Sequence, residues 1–248
     1  MSAFEMSLAL GTVAGLADVL GGALVTTRRR WDRTFLQYFL ALGAGFMLAV
    51  AFLRMVPESM DKVSQPYLYV LIGYFAVHLS EHTLTPHFHF GEVVHADALV
   101  HPSDGYMGLA GLAIHTFFDG VAIASGFLIS QPLGFVLFLA VLLHKLPEGF
   151  AVGSLMIAAG GSRRAAIAAS GVLGLATVGG VLLTTAFTGV VGHALALSAG
   201  VTIYVAASDL IPEVNKERGW GVGLAVFGGV FLYYVAETAL EATGLHAH

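Results

Sequence analysis

His115 and Asp119 stand four residues apart, and His144 and Glu148 repeat that spacing 29 residues later. Written out, His115-Thr-Phe-Phe-Asp119-Gly120 and His144-Lys-Leu-Pro-Glu148-Gly149 share the form His-x-x-x-Asp/Glu-Gly. Residues i and i+4 of an α-helix lie on one face, so each segment sets an imidazole beside a carboxylate. Two such helices facing each other offer two nitrogens and two oxygens. That donor set suits a borderline divalent cation such as Zn²⁺.

The elements that must hold these groups follow from composition. Of 248 residues, 57% are hydrophobic and only 11% charged, with a mean hydropathy of +0.82. Soluble domains carry about a quarter charged residues, so an ordinary water-soluble globule is excluded. The absence of cysteine rules out disulfides and thiolate ligands. A net charge of -5, with Arg28, Arg29 and Arg30 as the one basic cluster, argues against nucleic acid as a partner. Glu5 stands where a secretory leader would carry positive charge, and no small-residue cleavage site follows, so the N-terminus reads as the start of the first span.

Apolar runs of about twenty residues, each able to cross a hydrocarbon core of about 30 Å, predict an all-α polytopic membrane protein with eight transmembrane helices. They fall at 6–27, 34–57, 66–84, 106–129, 133–158, 164–190, 193–213 and 220–241. The loops after spans one, five and seven hold Arg28, Arg29, Arg30, Arg33, Arg163, Arg164, Lys216 and Arg218, eight of the eleven basic residues. Cytoplasmic loops accumulate Lys and Arg. Both termini are therefore expected outside the cytoplasm, and the 85–105 loop inside it.

Two internal repeats organise the chain. Residues 44–58, AGFMLAVAFLRMVPE, align with 199–213, AGVTIYVAASDLIPE, although spans two and seven run in opposite directions. An inverted repeat is expected, spans 1–3 against 6–8, around the central pair of spans four and five; this is a frequent transporter signature with the substrate near the midplane. The second repeat is the His-x-x-x-Asp/Glu-Gly pair itself. Its two spans are antiparallel neighbours joined by Ser-Gln-Pro-Leu-Gly, residues 130–134. Pro147 removes one donor from span five and is expected to kink it and free a carbonyl near the site. Gly120 and Gly149 allow close helix approach.

A carboxylate at mid-membrane costs about 2.5 to 3.5 kcal/mol on insertion scales, and it persists when paired or functional. Asp18 in span one and Asp209 in span seven are thus gate, proton-acceptor or counter-ion candidates. Lys145 has either as a prospective partner, and Arg54 occupies the repeat position equivalent to Asp209. Between 78 and 101 lies a second concentration of ligand types: His78, Glu81, His82, His87, His89, His95 and His101. Histidine-rich tracts bind transition metals through neutral imidazole.

These residues carry a resemblance. The paired histidine and acid motifs of spans four and five, the terminal Pro-Glu of spans two and seven, the eight spans and the His-rich loop resemble the ZIP (Zrt/Irt-like) family of divalent metal transporters along the whole chain. The resemblance implies metal ligation by His115, Asp119, His144 and Glu148, with Met47 of span two as an additional soft ligand. It implies that the 85–105 loop collects released metal, that spans one, four, five and six move against spans two, three, seven and eight, and that the assembly is a homodimer. Family members with two adjacent metals use ligands directly after the histidines. Here those positions are Thr116 and Lys145. Threonine is a poorer ligand than asparagine, and a protonated lysine sets a positive charge where a second cation would sit. Two carboxylates and one ammonium sum to -1, so a single-metal site is expected.

The expected function is import of a divalent transition metal across a plasma or bacterial inner membrane, zinc first, with Cd²⁺, Fe²⁺, Mn²⁺ and Co²⁺ compatible with the same donors. A membrane zinc enzyme would use His-Glu-x-x-His, which is absent; His78 and His82 have the spacing, but Leu79 follows the first. A haem-binding electron carrier would place imidazoles from facing helices on the iron, with no use for the two acids.

Overall fold

The computed structural model describes residues 1–27, 33–84, 102–216 and 220–242. Eight long helices account for nearly all of them. They are α1 (Ala3–Val25), α2 (residues 33–60), α3 (Pro66–Leu84), α4 (Pro102–Ile129), α5 (Gln131–Ala158), α6 (Arg163–Ala186), α7 (residues 191–215) and α8 (Trp220–Ala242). Among the described residues seven are long and apolar enough to cross a membrane; α3, at 19 residues, is long enough but falls short in apolarity, its C-terminal turns carrying His78, Glu81 and His82. The His87, His89, His95 and His101 positions and Arg28, Arg29, Arg30 and Arg218 lie outside the described residues.

Local chemistry sets the helix ends. Ser2 caps α1 in a capping box: the Glu5 backbone N–H donates to Ser2 Oγ at 3.2 Å, and the Ser2 N–H donates to Glu5 Oε2 at 2.8 Å. Ser130 alone separates α4 from α5, its hydroxyl accepting from the Leu133 N–H at 3.4 Å. The expected five-residue connection is shorter than its composition suggested, because Pro132 sits in the first turn, where a missing N–H costs nothing. After α5, Gly160 takes φ +81°, with the Gly161 N–H donating to the Met156 carbonyl at 2.8 Å and the Gly160 N–H to Ile157 at 3.0 Å. This is a Schellman cap, which needs the left-handed backbone glycine tolerates.

Helices α2 and α7 share a further feature. Each contains a π-helical turn, Ala51–Met55 and Val205–Leu210, followed one residue later by a proline, Pro57 or Pro212. Proline cannot donate to the preceding turn, and widening of the turn absorbs the mismatch. Pro147, by contrast, lies inside an unbroken α5. The helix runs on through Pro147, which brings no N–H to the Leu143 carbonyl four residues back.

Helix α1 packs on α5 and α6, and α4 packs on both α5 and α6, giving one four-helix group. Helix α2 packs on α8, and α3 on α7; α4 against α7 and α2 against α5 join the sets. Burial is deepest in α4 (67%), and shallowest in α8 (17%), whose Leu224, Phe227 and Phe231 are exposed as a lipid-facing surface would be. Glycines set the approach at the centre. A Cβ at Gly149 would meet the backbone of Asp18, and one at Gly120 the backbone of Thr177. Gly149→Val is therefore expected to push α1 off α5 and lower stability by about 1–3 kcal/mol, the usual range for overpacking. A thermal melt of the detergent-solubilised variant checks this; an unchanged midpoint would contradict the contact.

Candidate metal centre

The α4–α5 hairpin places its two motifs at one depth, so the four side chains predicted to converge do so. His115, Asp119, His144 and Glu148 are all buried, and each offers a ligand atom lying within 4.8 Å of the other three. Asp119 Oδ2 is the hub, at 3.2 Å from His115 Nε2 and 3.2 Å from His144 Nε2. Glu148 Oε2 lies 3.9 Å from His144 Nε2. Four-coordinate zinc with bonds of about 2.0–2.1 Å separates its donors by about 3.3 Å, so these spacings are those of a site around one ion. The imidazoles lie near each other, with ring centroids 5.5 Å apart.

His144 is held in the orientation a ligand needs. Its Nδ1 lies 2.9 Å from the Ala140 carbonyl one turn back, a contact that fixes the ring with Nε2 turned towards Asp119 Oδ2 at 3.2 Å.

Thr116 and Lys145 fill the neighbouring volume. The Thr116 hydroxyl donates to Glu148 Oε1. Lys145 is fully buried, and its Nζ lies 2.7 Å from Glu148 Oε2, 2.8 Å from Asp119 Oδ2, 3.2 Å from Thr116 Oγ1 and 3.5 Å from Asp18 Oδ2. Of its two prospective partners, Lys145 therefore meets Asp18, not Asp209. Asp18 also changes the charge count. Three carboxylates against one ammonium leave -2, not the -1 counted from the two motifs alone, and one dication neutralises it. A helix more than a hundred residues away in sequence supplies the third acid, which no local spacing reveals.

The remaining candidates sit elsewhere. Met47 is buried on α2, one turn on from Gly43, where a Cβ would lie 3.8 Å from the His144 Cβ; α2 thus passes the site at that level. Asp209 is buried in the π turn of α7 and faces Glu81 of α3, whose Oε2 accepts from the Tyr204 hydroxyl at 2.8 Å. His78 and His82 stack with centroids 4.1 Å apart, and His82 Nδ1 lies 2.9 Å from the His78 carbonyl. Arg54 pairs with Glu237 of α8 at 3.1 Å. Sequence reasoning missed that pairing, although Glu237, one of two acids in the apolar 220–241 run, was its available signal.

A model of the ZIP zinc transporter family matches residues 92–236, more than half of the chain and the stretch holding both motifs. Curated relatives extend the similarity to nearly the full length. The zinc transporter ZupT of Enterobacter sp. (strain 638) is 30% identical over 250 residues, covering 90% of this chain and 95% of its own. The ZupT proteins of Shigella flexneri serotype 5b (strain 8401) and Escherichia coli O7:K1 (strain IAI39 / ExPEC) are each 27% identical over 259 residues, covering 95% of this chain and 98% of their own.

Proposed function

The chain belongs to the ZIP zinc transporter family, and from that premise we propose that it imports divalent transition metal, zinc above all, into the cytoplasm through one mid-membrane site. His115, Asp119, His144 and Glu148 are the ligands, Met47 of α2 an additional soft one. The observation that carries the reading is the convergence of two imidazoles and two carboxylates in the buried interior, at spacings suited to a single ion. A buried carboxylate is expensive unless paired or ligating, and four such groups meeting in the most buried helices is a functional arrangement.

Family membership makes the protein a transporter rather than a membrane zinc enzyme or a haem carrier. Zinc is its substrate; Cd²⁺, Fe²⁺, Mn²⁺ and Co²⁺ suit the same nitrogen and oxygen donors and compete according to geometry and availability. The charge count supports one ion at a time, since a second dication would carry the site to a net +2.

Transport proceeds by alternating access in a single transmembrane domain, residues 1–248, of eight spans. The packing supports the division of labour. Helices α1, α4, α5 and α6 form one group and move against α2, α3, α7 and α8, with the site on the wall of the first group. Matching π turns in α2 and α7 support an inverted repeat relating the two halves, and wide turns are natural places for the rocking group to bend. Both termini lie outside the cytoplasm of a plasma or bacterial inner membrane, and ions leave towards His78, Glu81, His82 and the His87–His101 tract. The chain works as a homodimer.

Purified protein in sealed vesicles tests the proposal. With zinc outside and an impermeant fluorescent chelator inside, protein-containing vesicles are expected to fill far faster than empty ones. Equal rates with correctly folded protein would reject the transport reading.

A further inference from the structure

Lys145 donates to Glu148 Oε2 at 2.7 Å and to Thr116 Oγ1 at 3.2 Å, and Asp119 Oδ2 is its ion-pair partner at 2.8 Å, so the site groups hold its ammonium. Asp18 receives what remains. It is fully buried, its Oδ2 lies 3.5 Å from Nζ, and neither of its oxygens accepts a hydrogen bond from a described group. A buried carboxylate left with an ion partner but no donor is costly, and it is the next acceptor along for any donor that is released. The two oxygens that hold Lys145 are on ligand residues that the ion must also take.

We propose that Lys145 is a tethered stand-in for the transported ion and that Asp18 is its second seat. This rests on the quartet being the metal site. With the site unloaded, the ammonium bridges Asp119 and Glu148 and offsets their charge. When the dication binds, it takes both carboxylates, and the ammonium turns to Asp18; closing 3.5 Å to a hydrogen bond of about 2.9 Å is a small side-chain movement that exchanges no proton. On release the ammonium returns. Neither state then contains a bare carboxylate pair, so the ion can leave without abandoning two unpaired charges in the membrane interior. Asp18 is a positioning residue acting on the ion through Lys145, and the pair sets affinity low enough for release.

Zinc binding to the full-length chain in detergent, measured by competition with a fluorescent chelator, tests this with a double-mutant cycle. Asp18→Asn removes the second seat and is expected to weaken zinc binding about tenfold, while Lys145→Gln removes the competitor and tightens it by a similar factor, within the range by which outer partners tune metal sites. In the Lys145→Gln background the Asp18→Asn loss should shrink by at least about threefold, because the two groups act as one unit. An equal loss in both backgrounds would mean that Asp18 acts by its own charge, and would overturn the proposal. A zinc-loaded structure of the unsubstituted chain is independent of how the variants fold: Nζ closer to Asp18 Oδ2 than to Glu148 Oε2 supports the exchange, and Nζ still on Glu148 refutes it. His144→Ala separates the two readings. If it abolishes zinc binding while the cycle is additive, the site stands and only the exchange fails; if it leaves binding unchanged, both fall.

Discussion

Replacing Asp119 with alanine is expected to abolish zinc uptake, cutting the rate in proteoliposomes by more than about 100-fold, beyond the 10–100-fold typical of outer partners. The size follows from position. Asp119 Oδ2 touches the imidazoles of His115 and His144 at 3.2 Å and the Lys145 ammonium at 2.8 Å. Without it, the site's charge falls from -2 to -1, one carboxylate short of balancing a dication, and the two imidazoles lose the oxygen they share, so an incoming ion is both under-compensated and under-ligated. Glutamate at that position keeps the charge but sets the oxygen one methylene further along, so Asp119→Glu should retain measurable uptake. Full activity in folded Asp119→Ala protein would remove Asp119 from the pathway.

The second large effect concerns stoichiometry. The paired substitution Thr116→Asn and Lys145→Asp is expected to raise bound zinc from one to two per chain, counted by elemental analysis after desalting. It exchanges a hydroxyl and an ammonium, which now fill the space beside Glu148, for two oxygen donors, and it takes the local charge from -2 to -4. Two dications balance that charge; no cation at all leaves four acids crowded in the interior. The double variant should therefore depend on zinc for its stability, with a melting temperature that rises with zinc concentration by mass action far more than that of the unsubstituted chain. A single zinc in the folded double variant would show that Lys145 is not what limits occupancy.

Much of the site was legible because its geometry is local. An i, i+4 pair needs only helix periodicity to place two side chains on one face, and a duplicated pair in adjacent antiparallel spans needs only a short turn to bring them to one depth. The helix positions were legible for a similar reason, since hydrocarbon thickness sets the length of an apolar run. What was hidden depends on packing between distant segments. Asp18 reaches Lys145 because Gly149 lets α1 close onto α5, an approach that sequence states only as a permission. The Arg54–Glu237 pair joins α2 to α8 across most of the chain, and the repeat, which gave only the equivalence of Arg54 with Asp209, named no partner for it. Two local details came only with the fold. Pro147 leaves α5 continuous, while the altered turns stand at the α2 and α7 prolines, where the helix widens just before a residue with no N–H to give. The short α4–α5 connection lost four residues to the first turn of α5, since a proline near a helix start favours the helix it would break further in.

The central claim, one ion clasped between α4 and α5, is tested most directly by anomalous diffraction at the zinc edge from zinc-loaded protein. A single peak is predicted between the two helices, within about 2.0–2.2 Å of ligand atoms of His115, Asp119, His144 and Glu148. A fully loaded protein whose zinc peaks lie elsewhere, with those four side chains still holding only one another and Lys145, would contradict it.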